Sequence, residues 1–65
     1  MNHKLLFKIF CLESVKDRLK TTAAETLHLF KSHNVFNYLN EGFDVLHTQS
    51  QAYIVDDILD YMRHN

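Results

Sequence analysis

Five histidines and one cysteine are the side chains of this 65-residue chain that are best suited to bind a metal. Two imidazoles share a zinc ion when they stand four residues apart on one helix face. His28 and His33 are five residues apart and fall on different sides of a helix, while His3 and His64 lie near the chain ends. The spacing therefore predicts no metal site, and no cofactor is expected.

Nucleophilic or acid–base catalysis has equally little support. His47 lies near Asp44 and beside Thr48, but no serine or cysteine nucleophile has a matching base. Cys11 lies in an apolar run, where a cysteine is more often a small buried hydrophobe than a reactive thiol. We therefore predict that the protein is not an enzyme, and that His47 caps or packs at the start of the last helix.

The elements that carry these residues are predicted to be helices. The chain contains one glycine and no proline, whereas tight β-hairpins need residues that adopt a positive φ or fix φ in advance. A hydrophobic share of 46% with a net charge of -1 is typical of a folded chain. Residues 1–65 are expected to form a single, compact all-α domain.

Caps and helix formers divide the chain into four predicted helices, of which the third is short. The first extends from about Asn2 to Lys20. A capping box of Thr22 and Glu25 predicts the start of the second, which ends near residues 32–34. The other two helices follow in the second half of the chain.

The third helix is predicted to run from Val35 to about Glu41 and to be stopped by Gly42, because glycine takes a left-handed C-terminal cap without steric cost. Residues 43–47 are expected to form an extended connector. Thr48 begins a second capping box and so predicts the start of the last helix, which runs to about Arg63.

The first helix is apolar on almost every side, because seven of the eight residues from 5 to 12 are hydrophobic. A chain of this size buries only ~60% of its surface and cannot wrap a helix completely. We therefore expect Leu6, Phe7 and Phe10 to meet a second copy or another protein. The alternative is a helix at the centre of the bundle, with Lys8 reaching outward.

The same run bears on the cellular location. Lys8 interrupts it and no small-residue cleavage site follows, so it does not have the form of a signal peptide. It is also too short to span a bilayer. The single cysteine cannot form an internal disulfide, which fits a reducing compartment. A cytoplasmic protein without a membrane segment is expected.

Acidic residues outnumber basic ones in the second half of the chain, and several lie on the polar side of the last helix. We predict that this side binds a protein partner, since a tyrosine can anchor an interface and carboxylates steer a basic partner. The predicted partner-binding residues are Tyr53, Asp56, Asp57, Asp60, His47 and Gln49. The alternative is an ordinary solvated acidic face.

A DNA-binding regulator is the second hypothesis, because the second and third helices could form a helix-turn-helix. The candidate recognition helix, residues 35–41, contains no lysine or arginine and would have little affinity for phosphates. A dimer that contacts DNA phosphates through Lys16, Arg18 and Lys20 is the remaining form of this hypothesis. Nucleic-acid binding therefore ranks below protein binding.

Three segments resemble a small family of bacterial proteins of unknown function, over nearly the whole chain. They are Phe10-Cys11-Leu12-Glu13, Asp44-Val45-Leu46-His47-Thr48-Gln49 and Tyr53-Ile54-Val55-Asp56-Asp57-Ile58. Ser50 stands where the family pattern would have glycine. Members of this family resemble short helical domains that are often encoded beside an ADP-ribosyltransferase-like protein. The resemblance implies an antitoxin-like or regulatory role, with that protein as the partner.

Overall fold

The computed structural model describes residues 2–64, and within them the chain forms five helices and no strand. In order these are α1 (His3–Leu19), α2 (Ala23–Ser32), α3 (Val35–Glu41), α4 (Phe43–Leu46) and α5 (Gln51–Arg63). The all-α prediction is confirmed. The predicted number of four helices is wrong, because the segment expected to be an extended connector contains the single turn α4.

One apolar core joins the helices, and α1 packs against α2, α3 and α5. Cys11 is fully buried in it, as the sequence predicted. Ile54, Val55 and Ile58 of the last helix also face inward. The buried apolar residues are Phe7, Cys11, Val15, Phe30, Val35, Leu39, Leu46, Ile54, Val55 and Ile58.

Phe7 belongs to this core and is only 9% exposed. Its ring meets the edge of the Phe43 ring, with the two centroids 5.4 Å apart. This contact and the burial of Leu46 explain why the connector coils into α4, since a helical turn directs both side chains toward the core. Phe7 was predicted to face a partner with Leu6 and Phe10, but within the chain it lies on the core side of α1.

Two hydroxyl side chains cap the longer helices that follow α1. The capping box at α2 is confirmed: Thr22 Oγ1 accepts from the Glu25 amide at 3.1 Å, and the Glu25 carboxylate accepts from the Thr22 amide at 3.0 Å. At α5 the cap is Ser50, whose Oγ accepts from the Tyr53 amide at 3.2 Å. The predicted cap Thr48 is therefore wrong, and its hydroxyl donates to the Val45 carbonyl.

Gly42 ends α3, but not in the predicted left-handed conformation, because its φ is -93°. Positive φ values occur instead at Lys20 and Asn34. What Gly42 supplies is room: a Cβ there would lie 3.1 Å from Leu46 Cδ1 and 3.3 Å from the Tyr38 carbonyl oxygen. The glycine thus allows α4 to fold back closely onto the end of α3.

The corrected cap gives a prediction about stability. Ser50→Ala removes the oxygen that satisfies an amide at the start of α5 and should lower the free energy of unfolding by ~1 kcal/mol. Thr48→Ala should cost less, because water can replace its exposed hydroxyl at the Val45 carbonyl. Urea unfolding of both variants measures the difference. A larger loss for Thr48→Ala would show that Ser50 is not the cap.

Candidate protein-binding surface

The polar side of α5 is divided between contacts within the fold and exposed positions. At one edge, Asp56 accepts from Arg18 of α1 at 2.8 Å. At the other edge, Asp57 accepts from the Tyr38 hydroxyl of α3 at 2.6 Å. Between these edges Tyr53 is 54% exposed. The carboxylates predicted to meet a partner thus also join α5 to its neighbours.

Asp60 lies on the outer side of α5, about one helical turn before the end of this helix. It is exposed and lies 3.5 Å from the Arg63 guanidinium and 3.7 Å from His64 Nδ1. Exposed pairs of this kind contribute little to stability. The Asp60 carboxylate is therefore accessible to a partner at little cost to the fold.

A groove of about 410 Å³ opens beside Tyr53, between the end of α3, the turn α4 and the start of α5. We call it the α4–α5 groove. Val45 stands on its α4 side and is 67% exposed, although it is apolar. The lining residues are Tyr38, Glu41, Gly42, Val45, Leu46, Tyr53 and Asp57. The structure thus brings the predicted residues Tyr53 and Asp57 together in one concave surface.

Sequence reasoning missed five residues of this groove: Tyr38, Glu41, Gly42, Val45 and Leu46. A signal for Val45 was present, because adjacent side chains such as Val45 and Leu46 point to different sides in an extended segment as well as in a helical turn. Once Leu46 is buried, Val45 must face away from the core. The contribution of Tyr38 depends on contacts across the fold, which local patterns do not show.

The groove combines negative charge with an aromatic wall. Glu41 and Asp57 are among its lining residues, and the described residues that line it include no lysine or arginine. The Tyr38 ring stacks on Tyr61, with centroids 3.9 Å apart. Burial, and secondly the hydrogen bond to Asp57, raise the pKa of Tyr38 to about 12. The Tyr38 ring of α3 is thus held by two residues of α5, Tyr61 and Asp57, which favours a preformed binding surface.

His47 and Gln49 lie outside the groove, although they were predicted to extend the binding surface. The His47 ring stacks on Phe43 with centroids 4.4 Å apart, and its Nδ1 donates to the Phe43 carbonyl at 2.7 Å. The Gln49 amide lies 3.5 Å from the Thr48 hydroxyl. His47 thus packs at the end of α4, not at the start of the last helix.

The described residues also bear on metal binding, thiol reactivity and membrane spanning. Within residues 2–64, no three His, Cys, Asp or Glu side chains lie close enough together to hold a metal ion. Burial raises the pKa of the Cys11 thiol to about 12, so the thiol is protonated at neutral pH. No helix in this range is long and apolar enough to cross a membrane.

Two of the three basic residues named for DNA binding form ion pairs within the chain, and these pairs are partly exposed. Lys16 pairs with Glu13 at 3.2 Å and with Asp17 at 3.6 Å, and Arg18 pairs with Asp56. The candidate recognition helix α3 buries two of its seven residues in the core.

The Tyr38 contact predicts a titration. Because the pKa of the Tyr38 hydroxyl is raised in the fold, its hydrogen bond stabilises the fold fully below pH ~10, where an unfolded tyrosine ionises. This stabilisation is lost as the pH rises toward 12. Ultraviolet absorbance should show a phenol that ionises near pH 12. Tyr38→Phe should remove this step and Tyr53→Phe should leave it. A late step that survives in Tyr38→Phe would contradict the assignment.

Comparison with known proteins gives a family but no described relative. No curated protein matches the chain, and no solved structure matches it. The family described as "Protein of unknown function (DUF3791)" matches residues 6–65, which include all five helices except the first residues of α1. On this match, the chain belongs to the DUF3791 family of proteins of unknown function.

Proposed function

We propose that this chain is a small protein-interaction module that binds its partner at the α4–α5 groove. The observation that carries the proposal is the pair of exposed side chains on the two sides of the groove, Val45 and Tyr53, with the carboxylates Glu41 and Asp57 beside them. An aromatic anchor with an apolar neighbour and a charged rim is the usual composition of a protein-binding hot spot.

The charge of the groove indicates the partner's chemistry. Glu41 and Asp57 favour a partner surface that carries lysine or arginine around an apolar side chain, which would fit between Val45 and Tyr53. Asp60 adds negative charge further along α5. Carboxylates at a rim mainly accelerate association, so binding should weaken as the salt concentration rises.

The proposed partner is an ADP-ribosyltransferase-like protein, and the proposed role is antitoxin-like or regulatory. Support comes from the resemblance of three segments to bacterial proteins that are often encoded beside such a protein. The second of these segments, residues 44–49, contributes Val45 and Leu46 to the groove, and the third, residues 53–58, contributes Tyr53 and Asp57. The proposed location is the bacterial cytoplasm, where the single thiol of Cys11 would stay reduced.

The proposal predicts separate effects on binding and on stability. Tyr53→Ala and Val45→Glu change exposed side chains and should leave the thermal midpoint nearly unchanged. Each should weaken capture of the co-expressed ADP-ribosyltransferase-like protein by about tenfold or more, since loss of an anchor commonly costs over ~1.4 kcal/mol. Asp57 is a poor choice for this test, because its replacement also breaks the hydrogen bond from Tyr38.

A matched control places the same charge on another helix. Leu27→Glu changes a partly exposed leucine of α2, outside the groove, and should leave capture intact. Capture by a charge-reversed variant at several salt concentrations completes the test. Glu41→Lys should weaken capture most at low salt, where electrostatic attraction is strongest. Full capture by the folded Tyr53→Ala and Val45→Glu variants would exclude the groove as the binding site.

A further inference from the structure

A second apolar surface lies on α1, outside the proposed groove. Leu5, Leu6, Ile9 and Phe10 are each between 42% and 52% exposed. We call these four residues the α1 stripe. We propose that a second copy of this chain binds the α1 stripe, so that two α1 helices pack antiparallel in a symmetric dimer. This inference concerns self-association and goes beyond the proposed function.

The α1 stripe lies mainly on the side of α1 that the core does not use. The buried residues of this helix are Phe7, Cys11, Ser14 and Val15, which follow a helical period along one face. At 100° per residue, Leu5, Leu6 and Ile9 project to the opposite face, and Phe10 lies at its border. Four large apolar side chains within two turns are a contiguous patch, and such patches on small proteins usually mark an interface.

The α1 stripe is suited to a copy of itself. In a two-fold dimer each residue meets a counterpart across the axis. An axis between residues 7 and 8 places Leu5 of one copy opposite Phe10 of the other, and Leu6 opposite Ile9. Each of these contacts joins apolar side chains. The residues next to the axis are Phe7, which faces the core, and Lys8, which does not belong to the stripe.

Charge at the ends of the α1 stripe favours the antiparallel arrangement. Asn2 caps α1 three residues before Leu5, and Glu13 stands three residues after Phe10. The same two-fold axis therefore places Glu13 of one copy beside the capped N-terminus of α1 in the other. That N-terminus has no acidic residue in its own first turn. Glu13, whose carboxylate also pairs with Lys16 of its own chain, would supply the negative charge that a helix N-terminus favours, whereas a parallel pair would place like ends together.

The size of the surface sets the strength of the contact. A standard interface buries ~800 Å² on each partner, which is nearly a fifth of the 4332 Å² surface of this chain. Four half-exposed side chains and their polar neighbours cover less than that. We therefore expect a reversible dimer that dissociates at concentrations on the order of micromolar.

Sedimentation of the full chain over a range of concentrations tests the inference. The unchanged protein should shift from monomer to dimer as its concentration rises. Ile9→Glu should shift the dissociation constant upward by at least tenfold while the helical circular dichroism stays the same, because Ile9 is exposed in the monomer. Val45→Glu is the matched control, an exposed apolar residue outside the α1 stripe, and should dimerise normally.

Charge and cross-linking test the orientation. Glu13→Gln should weaken the dimer several-fold. Asp17→Asn should not, because Asp17 shares the contact with Lys16 but lies beyond the end of the opposite helix. In an oxidised mixture of tagged Leu6→Cys and untagged Ile9→Cys proteins, the mixed disulfide should exceed both symmetric ones. Native Cys11 is buried and does not compete.

The outcomes separate cleanly. A strictly monomeric protein at millimolar concentration overturns the inference and leaves partner binding at the groove untouched. A dimer that Ile9→Glu does not weaken places the interface elsewhere and also overturns it. Symmetric disulfides in excess of the mixed one would overturn the antiparallel arrangement. Concentration-dependent dimerisation, lost in Ile9→Glu and retained in Val45→Glu, supports it.

Discussion

The burial of one face of α5 is the constraint on which the rest of this structure depends. Ile54, Val55 and Ile58 lie in the core, where α1 and α3 pack against the same helix. Apolar burial is the main driving force for so small a chain. The hydrogen bonds from Arg18 and Tyr38 to the two edges of α5 help to orient this helix about its own axis. The first is an exposed pair and contributes little stability. Together these contacts fix which side of α5 faces outward.

The candidate binding surfaces are the apolar areas that this core cannot cover. One side of α1 is used by the core, so the α1 stripe on its other side stays exposed. Likewise, α4 turns Leu46 inward and thereby leaves Val45 outside, across the groove from Tyr53. Small domains bury a limited fraction of their surface, and apolar side chains left outside are available to partners. The fold thus keeps the proposed site for a partner protein apart from the proposed site for a second copy.

Local signals predicted most of the fold, and contacts between distant residues account for what they missed. The α2 capping box was predicted correctly because both of its partners lie within one turn. At α5, Thr48 and Ser50 are two hydroxyls of similar capping strength, and the path of the chain after α4 decides between them. The helical turn of residues 43–46 depends on Phe7, which is distant in sequence. For the same reason Tyr53 could be predicted as exposed, whereas its groove, completed by Tyr38, could not.

A protein partner in the α4–α5 groove, as proposed, should be visible in a ¹H–¹⁵N correlation spectrum of the labelled chain, recorded with and without the unlabelled ADP-ribosyltransferase-like protein. We expect the amide signals of residues 41–46 and of Tyr53 to shift or broaden first, while those of α2 change least. Changes that are confined to α2, or a spectrum that stays the same with excess partner present, would contradict it.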